Sequence, residues 1–330
     1  MKRTPLIVIP LLSCFIMFCS MKKTDGSALL QQQMTISLPG VKGRIDHMAY
    51  DANGQRMFIC ALGNNSVEVV DLQNAKQLHS IKHIREPQGI VYDPQTKSIL
   101  VSSGGDGFLR IYNADNYQIS DSINIGPDAD NIRSGGVNTV YVGYDGGIVA
   151  VDYVHHARMN TFFTDAHVES FQLNENGEKI YANVPDAREV EVFDTKQSSP
   201  IAKWPVKEAN DNFPMALDEN DHAVVIGCRH PSEILLLNDS SGVTDLSFDI
   251  SGDADDVYYA TKNKLLIVSC GEGYTDIFNR AQNSFSRIAH EPSRFMARTS
   301  LFSETDMKYF LALPSQAGKD AELRIYNVTP

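Results

Sequence analysis

A pattern of short apolar strands separated by polar turns recurs through this chain about every forty residues, and a repeat of that period leaves few folds open. The first copy occupies residues 43–81: strands over 47–50, 57–62, 66–72 and 77–81, with turns at 51–54 and 63–65. Further copies start near Pro87, Gly126, His167, Asp211, Gly252 and Ala297. The last copy has three strands before the chain ends, while residues 34–38 (MTISL) form an isolated strand with no partners of their own. One strand left over at one end and one missing at the other implies a ring. The expected fold is therefore all-β: a seven-bladed β-propeller spanning 34–330, with the N-terminal strand completing the last blade so that no sheet edge is exposed at the closure.

Composition agrees. The strands are rich in Val, Ile, Tyr and Phe, no segment keeps a helical period, and 42% hydrophobic with 21% charged residues suits a folded body with a sizeable core. The formal net charge of -12, without a run of Lys or Arg, disfavours nucleic-acid binding and favours a neutral or cationic partner.

Residues 1–19 read as an export signal: Lys2 and Arg3 precede an apolar stretch over 6–18 that is short for a membrane span. Cys14 and Cys19 each end a sequence similar to a bacterial lipoprotein cleavage box, so a lipid-anchored periplasmic protein is expected, with plain secretion as the alternative and residues 20–33 as a polar tether. Loss of residues 1–18 removes Lys2 and Arg3 and takes the net charge from -12 to -14. In the body, Cys60, Cys228 and Cys270 have no metal-ligand spacing and are expected as buried thiols; only Cys228 and Cys270 fall in neighbouring repeats. The turn over 103–107, SGGDG, lacks the Lys and the following helix of a phosphate loop and is expected as a tight turn.

Turns such as NGQRMFICALGNNSVEVVDL and NGEKIYANVPDAREVEVFD make residues 34–330 resemble the YVTN, or YncE-like, propellers of bacterial exported proteins. The nearest match to the YVTN tetrad is Val140-Tyr141-Val142-Gly143. The resemblance implies a binding or scaffold protein of the cell envelope; separately, the chain is expected to be a monomer.

In a propeller the loops leading into the innermost strands emerge on one face around the central channel, together with those joining second to third strands, and function is expected there. Residues on that face that could bind a ligand or protein are Arg44, Asp46, His47, Gln88, Asn131, His167, Glu169, Phe213, Asp256 and Arg298. Asp46, Asp130, Asn131, Glu169 and Asp255 offer oxygen ligands suited to a hard cation such as Ca2+, although Asp and Asn at such places also cap turns. A lactonase-type hydrolase is the alternative to pure binding: His47 with Glu169 in acid–base roles and Arg298 stabilising an oxyanion, with His167 or His230 as other bases and Arg44 as another donor. His155-His156 belongs to a third-to-fourth-strand loop and is expected on the opposite face.

Overall fold

The second strands are apolar in unbroken runs, as in MFICA at 57–61 and LLIV at 265–268, a pattern that requires burial on both sheet faces. The computed structural model describes residues 29–282 and 284–329 and meets that requirement with seven small antiparallel sheets, the blades of a propeller. The first blade is Met48–Asp51, Arg56–Ala61, Ser66–Asp71 and Lys76–Lys82, hydrogen-bonded in that order from the channel outward. Blades two, four, five and six repeat this order, with innermost strands Pro87–Asp93, Ser170–Leu173, Asn210–Asp218 and Ala254–Ala260. Outermost strands face solvent on one side and alternate accordingly: in Thr244–Asp249 every second residue is exposed.

The core is divided by the architecture. Seven clusters of buried apolar residues fill the seven spaces between adjacent blades, for example Phe58, Val69, Ile99 and Val101 between blades one and two. Among residues legible as core from the sequence, Phe171, Val192, Val225, Leu236, Ile267 and Ile325 are buried, while Tyr50, Val91, Tyr141, Tyr259 and Phe302 are partly buried against the same clusters. Cys60, Cys228 and Cys270 are free and buried, as expected.

The ring closes as the strand count requires. Thr299–Ser303, Lys308–Leu313 and Ala321–Val328 form blade seven, and Leu30–Leu38 pairs antiparallel with Ala321–Val328 as its outer strand. The closing strand begins at Leu30 rather than Met34, so four residues of the expected tether belong to it. Leu30, opposite Val328, packs between blades six and seven, whereas Met34, Ile36 and Leu38 pack between blades seven and one. The bulge between Gln32 and Met34 shifts the alternation, so the two ends of the strand fill opposite faces of the blade. The export segment, including Cys14 and Cys19, lies outside the described residues.

Blade three departs from the repeat. Its sheet comprises Ile132–Ser134, Thr139–Asp152 and Ala157–His167: the expected second and third strands run on as one, bending where Gly146 and Gly147 have φ of 120° and 143°. The turn at 103–107 is tight, with the Gly107 amide donating to the Ser103 carbonyl (2.8 Å).

Candidate functional site at the channel mouth

Asp and Asn residues divide between the two faces. On the far face they cap turns, as Asp51 does for the Gly54 amide (2.8 Å) and Asn174 for the Lys179 amide (2.8 Å). On the channel face they point into a cavity of about 520 Å³, lined among others by Arg44, Asp46, His47, Asp130, Asn131, Glu169, Phe213, Asp255 and Asp256. Capping accounts for the repeat's turns but only for part of this cluster, where Asp46 accepts from the His47 amide (3.0 Å) and Asp256 from the Ser300 amide.

Loops immediately preceding the inner strands supply Asp46, His47, Asp130, Asn131 and Glu169. Four others, Gln88, Phe213, Asp255 and Asp256, lie within inner strands, and blades two, five and six carry register shifts at the mouth, between Pro87 and Ile90, Asn212 and Met215, and Ala254 and Asp256. Such bulges re-aim side chains, here Gln88, Phe213 and Asp255.

The carboxylates have different partners. Asp46 meets Arg44 Nη2 at 2.7 Å. Asp255 lies between Arg229 (Nη2, 2.5 Å) and Arg298 (Nε, 3.2 Å), and Arg298 also donates through Nη1 to both oxygens of Asp253 at 2.6 and 2.8 Å. Arg229 stacks on the Phe213 ring at 3.8 Å, which fixes the guanidinium edge-on to these acids. Asp46 and Asp255, expected as oxygen ligands, are thus engaged by guanidiniums, and Arg298, expected to meet a ligand or an oxyanion, is engaged by Asp253 and Asp255.

Asp256, buried, accepts from the Ser300 amide (2.7 Å) and faces His47 Nδ1 at 3.9 Å. Burial pushes its carboxyl up to about 7, against the pull of His47, and neighbouring Asp255 adds to the rise. Burial also raises Glu169, assisted by Asp130 and Asp255. His167 loses hydration too, which by itself lowers its pKa, but Asp130, Glu169 and Asp128 outweigh this and hold it up at about 9. Gln88 donates to Asp128 (3.0 Å), tying blade two to this group. His230 and His155 are exposed and paired with Asp211 and Asp152, away from the cavity lining.

Arg133 lines the same cavity and escaped the sequence reading, because it sits inside an inner strand rather than before one. Its guanidinium lies over the Phe171 ring (5.7 Å), and burial lowers its pKa. A single cation beside core Ile132 in a three-residue strand was the available signal.

No family model matches the chain, and no curated protein matches it. Its fold is similar to that of a chain in a structure described as "Crystal Structure of Mitotic Checkpoint Complex", with a TM-score of 0.77 over 99% of each chain. Identity is 12%, so the likeness shows the fold alone.

Proposed function

We propose that this chain is an exported envelope protein that binds a small cationic ligand in its channel mouth. The observation that carries the reading is the set of acids in the cavity: of Asp46, Asp130, Glu169, Asp255 and Asp256, guanidiniums pair with Asp46 (Arg44) and Asp255 (Arg229 and Arg298), which leaves Asp130, Glu169 and Asp256 without such a partner among the described residues. Carboxylates crowded out of water repel one another, and a cation entering among them relieves that cost. The leader with its Lys2, Arg3 and apolar stretch supports export, and the repeat's turns support kinship with YVTN/YncE-like propellers.

The test is thermal unfolding of the full chain with primary amines, guanidines and quaternary ammonium compounds, each beside a neutral isostere. A cation should raise Tm by a few degrees at saturation, its neutral isostere should not, and Asp46→Asn with Asp256→Asn should remove the effect. Equal shifts from the neutral compounds would overturn the reading. Turnover of a lactone panel, lost in His47→Ala and Glu169→Ala, would replace binding by hydrolysis.

A further inference from the structure

Among the described residues, the channel mouth brings together a group of ligand atoms that forms no ion pair with a guanidinium. Asp130, His167 and Glu169 present one oxygen or nitrogen each, all within 4.8 Å of one another. His167 Nε2 stands 3.6 Å from Asp130 Oδ2 and 3.6 Å from Glu169 Oε2. These separations are too long for hydrogen bonds. They are close to the ~3.4 Å expected between two ligands of a tetrahedral ion with bonds of about 2.1 Å.

An independent observation points the same way. Asn131, next in the chain to Asp130, is 3% exposed and lines the cavity, and its Oδ1 has no hydrogen-bond partner among the described residues. Its Nδ2 donates to the Glu169 carbonyl (2.6 Å) and clamps the backbone that carries Glu169. A buried amide oxygen without a donor costs about 1–3 kcal/mol unless something at the site satisfies it.

We propose that Asp130, His167 and Glu169 bind one divalent first-row transition ion of the zinc type, with a coordination position left open to the cavity. This rests on the reading of the channel as a cation site and specifies which cation and where. An imidazole among the donors selects transition ions over calcium and magnesium, which take oxygen ligands. Histidine ligands usually donate their other ring nitrogen to a carboxylate; here Asp128 Oδ2, held by Gln88, stands 3.7 Å from His167 Nδ1, short of a hydrogen bond, and Nδ1 is buried without a partner among the described residues. Three protein ligands and an open fourth position facing a cavity describe a site that can present its ion to water or to a ligand. The oxygen set expected for Ca2+ shares Asp130 and Glu169 with this one but lacks the histidine.

Isothermal titration of the untagged, chelator-treated full chain with Zn2+, Mn2+ and Ca2+ tests the assignment, together with the visible spectrum of the Co2+ form. One Zn2+ per chain is expected, bound about 100-fold more tightly than Ca2+, with intense tetrahedral Co2+ bands. His167→Gln, with Tm checked against the parent, should weaken Zn2+ by about 10- to 100-fold and abolish the bands. His155→Gln with His156→Gln, on the far face, should change neither. No bound ion, Ca2+ binding as tightly as Zn2+, or unaltered affinity in folded His167→Gln would overturn the proposal. Any of these would leave organic-cation binding, read through Asp46 and Asp256, to stand or fall on its own assay.

Discussion

Ile36 stands opposite Leu323, and this pairing of the first strand with the last third strand closes the ring. Ile36 is 1% exposed and packs with Leu38, Phe310 and Leu323 against Met57 and Ile59 of blade one. Ile36→Ala should therefore cost about 2–5 kcal/mol, the range for emptying a packed core position. Removal of residues 30–38 should open blade seven altogether. Chemical denaturation of both variants measures this, and an unchanged midpoint for the deletion would show that the ring closes without its first strand.

Gly147 makes the bend in the long strand of blade three. It has φ of 143°, and a Cβ there would stand 2.0 Å from the Phe162 carbonyl oxygen. Neither strain can be relieved by turning a side chain, since the obstacle is backbone on the paired strand. Gly147→Ala should destabilise by more than ~1 kcal/mol, whereas Gly136→Ala, with open space around its Cβ but φ of 103°, carries only the backbone strain. Comparing the two unfolding midpoints separates close approach from conformational strain.

The fold was legible because strands and turns repeat, and a count of them fixes both blade number and closure. Blade three shows the limit: Asp145-Gly146-Gly147 reads as a turn, and only pairing of residues 147–152 with 157–163 reveals a continuous strand. The channel face was also legible, since chain order through a four-stranded blade dictates which loops meet there. Partnership within that face was not. Asp46, Asp130 and Asp255 look alike in sequence, yet Arg44 takes the first, Arg229 and Arg298 take the third, and Asp130 is left to His167. Those choices depend on rotamers and on bulges in blades two, five and six, which leave no mark in the repeat.

The Asp253, Arg298, Asp255 and Arg229 network joins blades five, six and seven at the mouth. Its guanidiniums are roughly one-seventh exposed, so truncation leaves acids only partly rehydrated. Arg298→Met should cost about 1–3 kcal/mol, below the value for a fully buried pair because solvent reaches Asp253. Adding Asp255→Asn should restore part of the loss, because the acid left behind is then neutral. A double-mutant cycle reads the coupling, and strict additivity would show that the pair is electrostatically idle.

Asp256 predicts the sign of a pH dependence. Its carboxyl ionises near 3.8 when unfolded and is pushed up to about 7 in the fold, so the folded chain holds the extra proton between those values. Stability from this group is full below pH 3.8 and declines as pH rises to about 7. The groups that face it are His47, Asp46 and Asp255 at the mouth, Arg133 across the channel, and Tyr258 and Tyr309 behind it. Asp256→Asn keeps an oxygen to accept from the Ser300 amide but carries no charge. Its Tm should exceed the parent's by a few degrees at pH 8, and the advantage should vanish toward pH 4. A constant difference between the two proteins across that range would mean that Asp256 is as well solvated in the fold as out of it.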